Sequence, residues 1–239
     1  MSLLASLATD SSIQNETDSV GSSVLDSNVY PSTVETAYIN KSDGGALGLV
    51  CTFKSGNKTI KQTFWMTSGT AKGCKNYYED KNGEKKYLPG FIQANALALL
   101  TVGQEISALD TETKVIKAWN KDTKSEIPTK VEMLMDLIGK DIVIGLVKQT
   151  VDKTTKADDG SYVATGETRD ENEVDKFFRA SDNKTAQEIR DQVDATFINT
   201  WSKKWIGQTK NKAKGVAAGG TAGVPKTAAS TKPKVSLFG

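Results

Sequence analysis

From Val29 onward the chain alternates hydrophobic and polar residues at the two-residue period of a half-buried strand. Residues 29–40 mix β-branched and aromatic side chains, and Ser42-Asp-Gly-Gly marks a turn. In residues 46–54, Leu47, Leu49, Cys51 and Phe53 share one face, and Ser55-Gly-Asn57 marks a second turn. A third strand over 58–67 places Ile60, Phe64 and Met66 on one side and Lys61, Thr63, Trp65 and Thr67 on the other. Three strands joined by tight turns predict an antiparallel meander. Residues 68–90 break the alternation with Gly, Lys and Tyr and read as a long excursion.

The period then lengthens. Phe91 to Val102 is rich in Ala and Leu and predicts a helix packed on the sheet. Lys114 to Trp119 reads as a short strand, and Lys130 to Ile138 as a short helix stopped by Gly139. Asp141 to Val151 is apolar on both faces and predicts a central strand. A polar loop with Asp158-Asp-Gly at its tip leads to a last strand from Tyr162, ending in the acidic stretch Arg169–Asp175. Residues 185–206 read as one helix, because Ile189, Val193, Phe197, Trp201 and Trp205 recur every four residues as a stripe, expected to face the core. The fold class expected is mainly β with α insertions (α+β). Within it, strands interrupted by a helix point to an OB-fold-like Greek-key barrel with a C-terminal helix, the Lys130–Ile138 helix occupying the slot before the fourth strand.

Charge divides the chain into three. Residues 1–28 carry four acids and no Lys or Arg, residues 203–239 carry eight Lys and no acid, and the span between is nearly neutral. An acidic arm over 1–28, a folded domain over 29–206 and a basic tail over 207–239 follow, with both ends expected to be disordered. The tail ends in Ser236-Leu237-Phe238-Gly239, an apolar tip beside Lys232 and Lys234. It can add phosphate contacts, present its tip to a partner, or merely solubilise.

Composition excludes much chemistry. With no histidine there is no Ser-His-Asp or Cys-His catalysis, and no phosphate-loop or nucleophile-elbow motif occurs, so no enzyme activity is expected. Two cysteines, Cys51 and Cys74, cannot build a zinc site alone and are expected to be free thiols; no metal or cofactor is needed. The carboxylates of Arg169–Asp175 are expected to form a solvated helix start. No run is long and apolar enough for a membrane span, and Met1-Ser-Leu-Leu-Ala-Ser-Leu-Ala is a poor secretory signal, so the cytosol is the expected compartment.

The informative stretch is Lys58–Phe91, where aromatic rings and lysines interleave. A binder of single strands that ignores sequence needs flat rings for the bases and cations for the backbone. Trp65, Tyr77, Tyr78 and Tyr87 are the expected stacking rings. Lys58, Lys61, Lys72, Lys75, Lys81, Lys85 and Lys86 are the cations beside them. Trp65 is the sharpest clue, because it shares its strand face with Lys61 and threonines rather than with Phe64. The same Lys-Tyr composition also occurs in solvated hairpins, and Glu79, Asp80 and Glu84 dilute the patch.

Several stretches carry a family resemblance: the N-terminal octapeptide above, Gly69-Thr-Ala-Lys-Gly-Cys-Lys-Asn-Tyr-Tyr, Tyr87-Leu-Pro-Gly-Phe, Gly166-Glu-Thr-Arg-Asp-Glu-Asn-Glu-Val-Asp-Lys and the Ser-Leu-Phe-Gly terminus. On these the chain resembles the single-stranded-DNA-binding proteins of tailed bacteriophages, especially the N-four-like podovirus group. The resemblance implies an OB-like core that coats single-stranded intermediates of phage DNA replication, recombination and repair in the host bacterial cytoplasm. It also implies activation of host RNA polymerase, or contact with replication proteins, through Lys232, Lys234, Leu237 and Phe238. The charges before the tip are basic here, which fits an acidic or apolar partner surface. The alternative class is a phage structural or interaction protein whose Lys/Tyr loop and tail bind other proteins.

Overall fold

The computed structural model describes residues 24–120, 123–157 and 161–215. β1 (Asn28–Lys41), β2 (Leu47–Ser55) and β3 (Lys58–Trp65) form the expected antiparallel meander. A short hairpin, β4 (Tyr77–Glu79) and β5 (Lys85–Tyr87), leads into α1 (Pro89–Val102). Next come the hairpin β6 (Glu112–Asn120) and β7 (Ser125–Met133), then the long pair β8 (Asp141–Lys156) and β9 (Tyr162–Arg179). Two helices, α2 (Ala186–Arg190) and α3 (Phe197–Trp205), precede the three-residue β10 (Thr209–Asn211).

The first half of β1 pairs β8, from Asn28 opposite Leu146 to Thr33 opposite Asp141, and its second half pairs β2. The register shifts between Val34 and Thr36, the bulge that bends β1 from one partner to the other. Ladders therefore run β3-β2-β1-β8-β9, antiparallel throughout, while β10 adds to β8 in parallel and β7 pairs β1 at Tyr38 and Ile39. The sheet curls until β3 and β9 approach, where the Val174 amide donates to Gln62 Oε1 at 3.4 Å, but among the described residues no ladder closes it. α1 spans that seam, with Ala94, Leu97, Ala98 and Leu100 buried.

Inside the curl, Phe177 of β9 meets Phe53 and Phe64, each at 5.7 Å between ring centroids, among Leu49, Cys51, Ile142, Ile144 and Leu146. A second apolar cluster of Val143, Val147, Phe178 and Trp201 lies on the outer face, under α3. The first half of β8 is thus buried on both sides, which is why it reads as a run rather than an alternation. Both cysteines are free; Cys51 is in the core, where burial pushes its thiol pKa up, and Cys74 is exposed. Among the described residues, no helix is long and apolar enough to cross a membrane.

Several expectations need correcting. The helix expected over Lys130–Ile138 is the end of β7 followed by a single 3-10 turn, Met135–Leu137. Ile127, Thr129, Val131 and Met133 alternate with exposed neighbours along it, and the Leu134 amide donates to Ala37 of β1, so sheet pairing overrides the helix-forming Met and Leu. The helix after the meander is α1. The Arg169–Asp175 stretch lies inside β9 rather than at a helix start. The single helix over 185–206 is two, separated where Gln192 takes φ of 54°. Folded structure also passes the expected limits at 28 and 206: Asn172 exchanges two hydrogen bonds with the Leu25 backbone, and β10 extends the sheet after Gly207.

Candidate nucleic-acid interface

The strand period of β3 sends Ile60 and Phe64 into the core and Lys61, Thr63 and Trp65 outward. Trp65 is 42% exposed. It stands opposite Gly48 of β2, and a Cβ at Gly48 would lie 2.9 Å from the indole Cε3, so the ring rests directly on the strand backbone. The first turn of α1 crosses the end of β3 just as closely: a Cβ at Gly90 would lie 2.1 Å from the Trp65 carbonyl oxygen.

The excursion after β3 is stapled at its base. Thr70 donates its amide to the Gly44 carbonyl at 2.8 Å, fixing the loop to the β1–β2 turn. Ser68 and Lys75 close the loop on itself, the Ser68 amide reaching the Lys75 carbonyl at 2.8 Å and the Lys75 amide reaching Ser68 Oγ at 3.0 Å. The Leu88 amide donates to the Asn76 carbonyl at 2.9 Å and holds the foot of the β4–β5 hairpin. In that hairpin Tyr77 opposes Tyr87 and Tyr78 opposes Lys86, so the two pairs face opposite ways. Lys75 and Lys85 lie over the Tyr77 ring at 5.4 and 5.1 Å.

Two grooves flank the seam. One, of about 840 Å³, is lined by Thr63, Trp65, Lys72, Gln93, Glu173 and Lys210 among others. The other, of about 830 Å³, lies on the far side of Gln93 and is lined by Tyr87, Phe91, Lys176, Arg190 and Phe197. The acids of the first groove are engaged. Glu173 meets Lys212 at 2.7 Å and Lys210 at 3.8 Å, and Asp175 accepts the indole N–H of Trp201 at 2.7 Å.

The structure thus brings together part of the expected set. Trp65 and Lys72 share the first groove, with Lys61 on the same face of β3 as Trp65. Lys75, Tyr77, Lys85 and Tyr87 share one face of the hairpin, and Tyr87 lines the second groove. Lys58 is apart: seven residues from Trp65 along β3, about 23 Å, with its ammonium over Tyr30 at 5.3 Å. Tyr78 and Lys86 are on the opposite hairpin face. Lys86 is hydrogen-bonded to Asp80 and Glu84, which raises its pKa, while Lys86 in turn lowers that of Asp80. Lys81 is exposed in the hairpin turn. Lys232, Lys234, Leu237 and Phe238 lie outside the described residues.

Lys210 belongs to the basic tail already read as able to add phosphate contacts, whereas sequence reasoning did not single out Lys176, Arg190 or Phe197 for a groove. Phe197 belongs to the stripe assigned to the core, yet only Trp201 of that stripe is fully buried, at 3% exposed, while Phe197 is 38% exposed. The break between α2 and α3 turns the stripe aside, and no spacing signal marks it. Among the described residues, no three Cys, Asp or Glu gather as metal ligands. Compared with known proteins, the chain matches no family model, no curated protein and no solved structure.

Proposed function

We propose that this chain binds single-stranded DNA without reading its sequence, as a non-enzymatic phage protein that coats replication, recombination and repair intermediates in the host bacterial cytoplasm. The observation that carries the reading is Trp65: a large ring laid on a glycine backbone, half open to solvent, on a polar strand face and in a groove with Lys72 and Lys210. A ring on an outer polar face serves a partner rather than the core. Each stacked base contributes roughly 1–3 kcal/mol, and lysines add salt-sensitive contacts to the backbone. The strand order supports an OB-like core: a curled five-strand path with the helix between the third strand and the later pair. The basic tail is the part we assign to host RNA polymerase or replication proteins.

Titration with oligo-dT tests this. Stacking quenches tryptophan emission, and added salt reverses the quench. Trp65→Ala with Tyr77→Ala weakens binding by tenfold or more, as the loss of two stacking rings requires, and leaves the melting temperature within a few degrees. Unchanged affinity in a folded double variant, or no binding by the wild type at low salt, would transfer the Lys/Tyr loop to the protein-interaction reading.

A further inference from the structure

The second groove shares Tyr87 with the hairpin face that the proposed reading uses, and its other residues lie beyond that face. Its rings come from three elements. Tyr87 at the end of the hairpin is 58% exposed, with its ring 5.0 Å from Phe91 of α1. Phe197 opens α3 and is 38% exposed. Its ring is backed by Phe178, 6.5 Å away between centroids, and carries the Lys176 ammonium 5.3 Å above it. Arg190, exposed at the end of α2, stands on the same rim.

The formal charges of the groove balance, Lys176 and Arg190 against Glu105 and Glu188, but only one of the acids is on its rim. Of the two acids lining it, Glu188 is buried and its carboxylate accepts from the backbone amides of Thr185, Thr196 and Phe197, leaving Glu105 as the acid on the rim. Open aromatic faces beside Lys and Arg match the chemistry of stacked bases on a charged backbone.

The two grooves also adjoin at one residue. Gln93 lines both, held in place by its side-chain amide donating to the Asp175 carbonyl. α1 runs beside them, from Gly90 against Trp65 in the first to Leu99 in the second. Nine residues of helix cover about 14 Å, within the span of the roughly 4–16 nucleotides that one such domain occupies.

We propose that the second groove is a further base-stacking subsite for the same single strand, which passes from Trp65 across Gln93 to Tyr87, Phe91 and Phe197, with Lys176 and Arg190 on its phosphates. The inference rests on the single-strand reading above.

The test measures affinity of the full chain for dT15 and its salt dependence. Phe197→Ala weakens binding about tenfold. Because that change removes packing on Phe178, a second variant, Lys176→Ala with Arg190→Ala, removes a half-buried and an exposed cation and leaves the contact of Phe197 with Phe178 in place. It makes the log–log salt slope shallower by about 1.4, the share of two neutralised phosphates on a single strand. If the wild type binds no dT15, the single-strand reading itself fails. If the wild type binds, Trp65→Ala weakens it, and both second-groove variants keep wild-type affinity and slope, the subsite is refuted while that reading stands.

Discussion

Two glycines beside one tryptophan separate the proposed binding from folding. At Gly48 an added Cβ meets an indole edge 2.9 Å away and the Thr63 methyl at 3.0 Å, both on side chains that can turn aside. At Gly90 it meets a backbone oxygen at 2.1 Å, fixed by the β2–β3 ladder. Gly48→Ala therefore displaces the ring with a stability change of about 1 kcal/mol or less, and its cost appears as weaker oligo-dT binding and altered tryptophan emission. Gly90→Ala forces α1 off the sheet and costs about 1–3 kcal/mol or more, read as a lower urea midpoint. If both variants lost stability equally, the indole would be part of the core. The outward placement of Trp65 was legible in the sequence, because alternation along one strand needs only local information. The glycine beneath it was not, since cross-strand register depends on how the turn at Ser55–Lys58 seats two distant residues.

Among elements, the α2–α3 pair is where reading by periodicity failed. A four-residue stripe is continuous in sequence, but the chain is folded about Glu188. Thr185 and Glu188 form a capping box at the start of α2, and the same carboxylate accepts the amides of Thr196 and Phe197 at the start of α3, at 2.8 and 2.7 Å. One buried anion thus satisfies orphan donors of two helix starts. Burial alone would raise its pKa; the amides of Thr185, Phe197 and Thr196 and the Thr185 hydroxyl outweigh burial and hold it at about 2. Because the folded value lies below the usual 4.5, the stabilisation is full above that pH and is lost as pH falls toward 2. Glu188→Gln should cost about 3 kcal/mol at pH 7, and the difference from wild type should shrink as both are titrated from pH 5 to pH 2. A gap independent of pH would mean that Glu188 acts through packing alone. The same competition explains β7: local preference favoured a helix at Lys130–Ile138, but pairing with β6 and the tie from Leu134 to β1 prevailed. The meander, α1 and β8 were legible because local pattern and tertiary demand agree there.

For the whole molecule, a net charge of +2 conceals the feature that matters, which is where the charges stand. The first groove contains Glu173, an acid in the path proposed for a phosphate backbone, and the chain answers it with the start of its own basic tail. β10 lays Lys210 and Lys212 alongside β8 so that both reach Glu173, and the Lys214 amide donates to Asp152 at 2.8 Å. These ion pairs are partly exposed and individually weak. Their consequence is electrostatic: they neutralise an anion that would repel the proposed ligand, while engaging Lys210, which lines the groove. Glu173→Gln removes the repulsion and releases both lysines. It should tighten oligo-dT binding severalfold at about 50 mM salt, with the gain shrinking above about 0.5 M as the Debye length falls toward 4 Å. Weaker binding in that variant would mean that Glu173 organises β10 and that an ordered Lys210 matters more than a free one. Thermal melting of the same protein separates the cases, since loss of the β10 anchor lowers stability whereas relief of repulsion does not.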